Sequence, residues 1–472
     1  MSTHYAYRQI ENWLHEQLDK KRWKPGERLP SVRQLCHEKS LSKATVLHAL
    51  QRLEASGKVE ARPRSGYYAA YPPITQQYFP QTKSVQEPFP KPVNVSELFS
   101  DLMQRGAAFD LFPDAQVSEA LDPGLLQLNR CLGRALRQQP ESFHHQYDEP
   151  AGYFPLRQQL ALRYQRDGCP VDAEALCITS GCQHSLYLAL QATCQKGDLV
   201  AVESPGFYGV LQLLEQLELQ ALEIPSSPTE GLDLNWLEHV AQKWPIRACV
   251  VTPAFATPTG ATLPSENQKQ LLQLASHFDF TIIEDDIYRE LGFYSRPTPL
   301  LAHDWENRVI LCGSFSKSLS RDLRIGWIYG GALQSSIVKH KLIMQLSSCR
   351  YVQQGLSDFI EEGQLDRHFR QHRQRLKHQS DILAHSLESF WPEEVRFTRP
   401  AGGLCLWAEW QRSFNAVKLY QTALKHNIVV TPGPLFSASG LFQQSLRLSF
   451  SRPWTAERLE ALVKLKQLID SQ

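Results

Sequence analysis

Residues 308–327 read RVILCGSFSKSLSRDLRIGW. The apolar run Val309–Cys312 has the length and composition of a buried strand. Directly after it come Ser314-Phe315-Ser316-Lys317, and seven residues past the lysine stands Arg324. A lysine beyond the end of a buried strand, flanked by two hydroxyls, suits imine chemistry on a phosphorylated aldehyde. The amine forms the Schiff base, and the hydroxyls and the arginine hold phosphate oxygens. Taken alone, the same four residues also suit a surface turn.

On the N-terminal side of this stretch, strand-length apolar runs at Leu199–Val202, Ala248–Thr252 and Phe280–Ile283 alternate with amphipathic stretches. Those stretches include Gln183–Thr193 and Glu266–His277, and Ser335–Leu346 follows on the other side. The alternation predicts an α/β body with a largely parallel sheet, buried on both faces. From about Leu346 helices predominate, followed by strand-like Leu404–Trp410 and Ser445–Phe450, which predicts a smaller α+β C-terminal domain. In Glu284-Asp285-Asp286-Ile287-Tyr288, carboxylates fall at the C-terminal end of a buried strand, where ligands bind in open α/β sheets. A protonated pyridine nitrogen would partner such an acid; a helix cap or an exposed turn acid is the plainer reading of Glu284 and Asp286. Ile178-Thr179-Ser180-Gly181-Cys182-Gln183 leads into a helix whose N–H groups suit phosphate. Phe207 and Tyr208, after Glu203-Ser204-Pro205-Gly206, suit either ring stacking or an ordinary core.

The chain has 472 residues, long enough for two to four domains at roughly 100–200 residues each. With 42% hydrophobic and 21% charged residues, a sizeable core is expected and wholesale disorder is not. No run approaches the ~18 apolar residues of a membrane span, and the polar N-terminus lacks the apolar centre of a signal peptide, so no membrane association is expected. The ten cysteines are scattered without a CxxC, which indicates neither a disulfide framework nor a metal site and fits reduced thiols in a cytoplasm. Net charge is +1, yet residues 1–72 hold 13 Lys+Arg against 7 Asp+Glu, so this segment carries +6 and the remaining 400 residues −5. A basic piece on a mildly acidic body suggests a nucleic-acid module fused to something else. Residues 72–92 contain six prolines and no periodicity and read as the start of a linker. The expected division is a head at 1–71, a proline-bearing linker at 72–108 and a body at 109–472, its large part at about 120–345 and its small part at about 346–472.

In the head, Ile10, Trp13, Leu14 and Leu18 recur at helical spacing. Ser31 caps a predicted helix Val32–Glu38, and Ser42 caps a third from Lys43 to about Ser56 with Val46, Leu47, Leu50 and Leu53 on one face. Lys58–Glu60 and Tyr67–Ala70 read as a hairpin around the basic tip Arg62–Gly66. Two short helices meeting at a tight turn are the pattern of a helix-turn-helix, whose second helix enters the major groove; a small packing module with solvated basic residues is the alternative.

The stretch GERLPSVRQLCHEKSLSKATVLHALQRLEASGKVEARPRSGYYAA closely resembles the winged helix-turn-helix of GntR-type bacterial regulators. The resemblance implies DNA contacts at Arg33, Lys43, Thr45 and Gly66; Ser42 at the start of the second helix of the helix-turn-helix and Arg64 and Ser65 in the basic hairpin tip are candidate contacts beside them. Many members have Arg where this chain has Lys43, and a lysine cannot make the bidentate guanine contact. Residues from about 145 to 450 resemble fold-type I, class I aminotransferases that use pyridoxal 5'-phosphate (PLP). The segments follow in order: Tyr147 to Arg157, SGCQ, ESPGFYG, Pro258–Gly260, EDDIY, SFSK-x6-R, Pro400–Gly403 and LRLSFS. The resemblance implies Lys317 as the imine-forming lysine, Asp285 on the pyridine nitrogen and Tyr288 on the ring oxygen. It implies Phe207 stacked on the ring, and Ser180, Gly181, Cys182, Ser314, Ser316 and Arg324 around the phosphate. Tyr147 would reach the neighbouring subunit's phosphate, and Arg447 would clamp a ligand carboxylate. Where many relatives have Asn-Pro-x-Gly, this chain has Thr257-Pro258-Thr259-Gly260. Thr257 is too short for the usual bond to the ring oxygen, which is either lost or carried by water. Phe109–Gln116 lacks the glycine usual near the substrate carboxylate.

A GntR-like head, a linker and an aminotransferase-like body together resemble the MocR/PdxR subfamily of bacterial regulators. That implies a cytoplasmic homodimer, nucleoid-associated when on DNA, which senses PLP or an amino acid or amine effector and binds a double-stranded DNA operator. The alternative is an active aminotransferase that carries a DNA-binding head; a third class is an interaction scaffold with a vestigial site.

Overall fold

The computed structural model describes residues 3–20, 22–56, 58–62, 65–70, 89–92, 123–138 and 146–472. It divides into two units, Met1–Tyr78 and Phe79–Gln472. In the first, helices Thr3–Asp19, Val32–Lys39 and Lys43–Ala55 precede a hairpin of β1 (Val59–Arg62) and β2 (Gly66–Ala69), paired from Val59–Ala69 to Arg62–Gly66. Ser31 and Ser42 cap their helices as the sequence predicts, accepting from the N–H of Gln34 and Thr45. The third helix buries Val46, Ala49, Leu50 and Leu53 against Ile10, Leu14 and Leu35. Ala49 takes the core position expected of Leu47, because the 46, 49, 50, 53 spacing follows the helical repeat more closely.

The second unit is built on a nine-stranded sheet. Its strands are β3 (Lys91–Pro92), β4 (Leu176–Thr179), β5 (Leu199–Ser204), β6 (Gln220–Ser227), β7 (Gly231–Leu232), β8 (Ile246–Val251), β9 (Thr281–Asp285), β10 (Val309–Ser314) and β11 (Gly326–Tyr329). They lie in the order β3-β6-β5-β8-β9-β10-β11-β4, with β7 paired to β6. The pairs from β6 through β10 are parallel; β11 runs against both β10 and β4. Alternate residues of the central strands feed two cores, Ile282 and Leu311 into one and Ile283 and Ile310 into the other. Burial on both faces is why these strands read as unbroken apolar runs. Residues 91–92, which composition assigns to the linker, form an antiparallel edge strand on β6 instead, with Phe89 edge-on to Trp244. An edge position tolerates Pro92, whose missing N–H then breaks no interior ladder.

The C-terminal part is an antiparallel sheet of β12 (Val395–Phe397), β13 (Cys405–Trp410), β14 (Thr431–Pro432) and β15 (Ser445–Ser449), in the order β12-β13-β15-β14. The long helix Gln364–Phe390 precedes it, and helices Ala416–Leu424 and Ala456–Asp470 accompany it. Because β4, β5, β8, β9 and β10 run the same way, their last residues Thr179, Ser204, Val251, Asp285 and Ser314 all end on one edge of the large sheet. The motifs at Ser180–Gln183, Glu203–Tyr208, Pro258–Gly260, Glu284–Tyr288 and Ser314–Arg324 fall at or after these ends, LRLSFS lies on the smaller sheet, Pro400–Gly403 connects β12 to β13, and Tyr147–Arg157 precedes β4.

Candidate cofactor site and nucleic-acid face

The three consecutive carboxylates at the end of β9 have separate duties, because successive strand residues point to opposite faces. Glu284 accepts the N–H groups of Leu300 and Leu301, both at 2.9 Å, and so caps the short 3-10 turn Leu300–His303. Asp286 accepts from the Tyr164 hydroxyl at 2.8 Å and from Nε of Arg289 at 2.9 Å. Neither is the exposed turn acid of the plainer reading; both are buried. Asp285 alone turns the other way. Its Oδ1 accepts from the Cys182 thiol at 3.0 Å and the Ile287 N–H at 3.2 Å. Burial pushes this carboxyl up to about 6, against the pull of those two donors.

Lys317 lies in the turn that follows β10 and is half-buried. Desolvation, then Arg321 and Arg447, bring its amine down to about 7, while Asp285 works in the opposite direction. An amine with that value is about half neutral at pH 7, and the neutral form is the nucleophile.

Beside it lies an anion cradle. Ser314 is buried, its hydroxyl 2.9 Å from both Ser316 Oγ and the Ile325 carbonyl. It therefore positions Ser316 more than it faces outward. Arg324 adopts a left-handed backbone (φ 48°) and donates to the Ser180 carbonyl at 2.8 Å and to Ser316 Oγ at 3.3 Å. Its guanidinium passes so close to Gly181 (φ 107°) that a Cβ there would meet Nη2 at 2.7 Å. Only glycine leaves that opening. The helix Cys182–Thr193 starts at the same point, which adds N-terminal N–H groups. The Ser180 hydroxyl is directed to Gln345, at 2.9 Å, so Ser180 contributes its carbonyl to the Arg324 side of the cradle. Cys182 likewise offers only its backbone here, since its thiol is on Asp285. An anion cradle, a half-neutral amine and a buried carboxylate in one region fit PLP in charge and donor type.

Phe207 precedes the helix Tyr208–Gln216 and packs over Gly209, with the Tyr208 ring 5.0 Å away. Thr257 is buried, its hydroxyl 3.6 Å from the Cys405 sulfur. Tyr288 is buried beside Cys405, Asp285, Arg447 and Tyr208; desolvation lifts its phenol well above the usual range, so it stays a neutral donor. Arg447 on β15 faces Trp407 of β13 and Thr431 of β14, and is 2% exposed. It donates to Thr431 Oγ1 at 3.1 Å, and its guanidinium carbon is 5.4 Å from the Phe436 ring centroid and 5.9 Å from that of Tyr208. Tyr147 is not part of this constellation. It is 76% exposed, on a segment held by Arg350 on Asp148, Arg157 on Glu149 and Lys341 on the Pro150 carbonyl. The segment Phe109–Gln116 lies outside the described residues. Sequence reasoning missed Cys405 and Arg321, which flank Lys317 electrostatically, and the Tyr208–Phe436 pair around Arg447. Cys405 lies two residues past the Pro400–Gly403 motif, the one local signal for it.

In the head, Arg33 and Lys43 are exposed. The Ser42 and Thr45 hydroxyls are 2.8 Å apart in the helix cap, so both are already engaged. Ser65 pairs with the Tyr68 hydroxyl at 2.5 Å. Gly66 has φ 114°, with the Arg28 guanidinium 3.5 Å from where its Cβ would stand. Arg28 is a further cation at the hairpin that the motif reading did not include. Arg64 lies outside the described residues.

The family models match this division. Residues 124–465 match aminotransferase class I and II, and residues 6–68 match the gntR family of bacterial regulatory proteins. The chain belongs to the class I and II aminotransferase family and carries a gntR-family head. Relatives share the whole arrangement. The uncharacterized HTH-type transcriptional regulators YjiR and YdcR of Escherichia coli K12 are 32% and 34% identical, with 98% and 99% of each chain covered in the respective comparison. This places the chain among transcription regulators with an aminotransferase-like body. Among solved structures, LysN from Thermus thermophilus, an alpha-aminoadipate aminotransferase complexed with N-(5'-phosphopyridoxyl)-L-leucine, superposes with TM-score 0.70 at 28% identity. The match covers 80% of this chain and 95% of that one. Among the described residues no helix is long and apolar enough to cross a membrane.

Proposed function

We propose that this regulator holds PLP covalently on Lys317 and uses the state of that site, altered by an amino acid or amine, to set its affinity for a double-stranded DNA operator. The observation that carries the reading is Lys317 standing next to Ser316 of the Arg324 cradle, in the turn after β10, whose partner strand β9 ends at the buried Asp285. When bound, PLP supplies an aldehyde and an electron-withdrawing ring. The chain's own residues do the rest. Lys317 provides the nucleophilic amine; Asp285 offers a carboxylate for a protonated ring nitrogen; Tyr288 offers a neutral O–H for a ring oxygen. Gly181, the backbone of Cys182, Ser316 and Arg324 take the phosphate, with Ser314 and Ser180 behind them, and Phe207 lines the ring. Thr257, with its hydroxyl near Cys405, leaves the ring oxygen chiefly to Tyr288. Arg447 presents a planar cation for a ligand α-carboxylate.

The protein acts as a homodimer in this reading. A second copy would cover exposed apolar side chains such as Tyr147, Ile343, Met344 and Leu346. Arg33, Lys43, Arg64, Ser65 and Gly66 make the operator contacts, with the Ser42–Thr45 cap orienting the recognition helix. Association with the nucleoid follows while the protein is on its operator.

The deciding experiment measures operator affinity with the PLP-loaded and PLP-free protein across a panel of amino acids and amines. A ligand shifts the equilibrium only through its different affinity for two states, so identical DNA affinity under every condition would rule the switch out. The Lys317, Asp285, Tyr288 and Arg447 set also suits a transaminase. Rapid single-turnover conversion of the bound cofactor to pyridoxamine phosphate would favour that reading.

Two further results are expected. PLP attachment should speed up roughly tenfold between pH ~6 and ~8 and then level off, since Lys317 near 7 loses its proton across that window. An amine with the ordinary value would instead keep gaining about tenfold per pH unit well above 8. Stopped-flow absorbance distinguishes the two. Lys43→Ala should weaken binding to all sequences alike and lower the slope of log affinity against log salt by about 1, as loss of one phosphate contact does. A slope equal to wild type in a salt titration would remove Lys43 from the interface.

A further inference from the structure

Asp285 depends on a neighbour that no motif assigns to it. Among the described residues, the Cys182 thiol at 3.0 Å and the Ile287 N–H at 3.2 Å both donate to Oδ1 and not to Oδ2. Cys182 is the first residue of the helix Cys182–Thr193, directly after the left-handed Gly181, and is itself buried. That turn brings its side chain across to the ends of β9 and β10, where Asp285 is in register with Cys312.

We propose that Cys182 is a positioning residue for the cofactor-facing carboxylate: its thiol donates to Oδ1 of Asp285 and so keeps Oδ2 ionised and turned toward the ring nitrogen of bound PLP.

The inference deepens the PLP reading and rests on it. Three observations support it. First, the thiol stays protonated and is therefore a permanent donor: burial, then Asp285 and Cys312, push it well above the usual thiol range. Second, it is the largest influence opposing burial of the carboxyl, ahead of the Ile287 N–H and Lys317, while Asp286 acts with burial; Glu203 and Tyr288 also face Asp285 electrostatically. Third, a side chain serving Asp285 cannot also reach into the anion cradle, so the helix start divides its work. Its backbone serves the phosphate end and its first side chain serves the nitrogen end. One turn of chain thereby links both ends of the cofactor.

The test compares full-length wild type with Cys182→Ala, Cys182→Ser and Cys312→Ala. PLP dissociation constants are measured by equilibrium dialysis from pH 5 to 8, with the absorbance spectrum of each loaded protein. Removing the donor should weaken PLP binding roughly five- to tenfold, as loss of one hydrogen bond to a charged group from a weak S–H donor does. It should also move the acid limb of the binding profile to higher pH. The sign follows from Asp285: its ionised form binds, affinity falls as pH drops through its pKa, and loss of the donor raises that pKa. The phosphate titrates in all four proteins, and Lys317 feels the variants only through Asp285, so a difference in the acid limb reports on Asp285. Serine, which still donates, should restore the profile, and Cys312→Ala should leave it unchanged. A purely packing role would lower thermal stability without moving the limb. A Cys182→Ala profile that superimposes on wild type, a serine variant no better than alanine, or an equal shift in Cys312→Ala would overturn the proposal while leaving PLP binding intact. Failure of the wild type itself to take up PLP would instead overturn the reading beneath it.

Discussion

Lys317→Ala is expected to abolish covalent attachment of PLP and, with it, the visible absorbance of the loaded protein. The cations that flank Lys317 or the cradle, Arg321, Arg324 and Arg447, carry guanidinium groups and not the primary amine that imine formation uses. The second part of the expectation concerns DNA. Coupling between two binding sites commonly amounts to about 5–150-fold in affinity. Any such factor by which PLP or an amine changes operator affinity in the wild type should fall to about one in the variant. Operator affinity without cofactor should stay close to wild type, because residues 6–68 form the gntR-family head and Lys317 belongs to the other unit. Fluorescence anisotropy on an operator fragment, with and without PLP, reads both quantities. A variant that keeps a full PLP response would show that non-covalent occupancy is sufficient and that Lys317 is not the switch.

Asp285→Asn should cause the larger loss of cofactor affinity. The carboxylate is 3% exposed and has given up most of its hydration, so its value lies in meeting a cation. Truncating one partner of a buried, hydrogen-bonded charge pair costs about 2–5 kcal/mol, which corresponds to roughly 30-fold or more in the dissociation constant. Asparagine keeps the size but not the charge: its amide oxygen can still accept from the Cys182 thiol and the Ile287 N–H, which leaves its N–H2 donor where a protonated ring nitrogen needs an acceptor. The apo protein should be no less stable than wild type, since a carboxyl with its pKa raised to about 6 contributes nothing favourable to folding at neutral pH. The sign follows from linkage: a carboxyl raised above its unfolded value makes the folded state less stable as pH climbs through that interval. A denaturation midpoint that drops sharply in Asp285→Asn would mean that the residue serves the fold and not the ligand.

Individual residues show how much of this was legible in the chain. The strand ending at Ser314 was visible because both of its faces are buried, so Val309–Cys312 is apolar without alternation. The strand β6 was not, because Glu223 and Pro225 interrupt its pattern. Glu223 is buried there only because it accepts from the Ser204 hydroxyl and from the N–H groups of Ala438 and Ser439. Those last partners lie more than 200 residues away in sequence. The caps at Ser31 and Ser42 were legible because a cap is a three-residue event. The division of labour among Glu284, Asp285 and Asp286 was not, because it requires knowing that Tyr164, Arg289 and the Leu300 turn lie on one side of β9 and the helix at Cys182 on the other.

Local chemistry along the chain pointed to a basic helical head with a hairpin, a largely parallel α/β body and a lysine after a buried strand; the family resemblance added the carboxylate and the two arginines in order. Each of those features depends on neighbouring residues or on periodicity, which the linear sequence contains in full. Only the tertiary structure decided which partners each of the three carboxylates takes, that Ser314 and Ser180 turn inward, that Tyr147 is exposed, and that a thiol stands behind Asp285. Those outcomes are set by desolvation and by hydrogen-bond partners drawn from distant strands, and neither exists until the sheet has brought its strand ends to one edge.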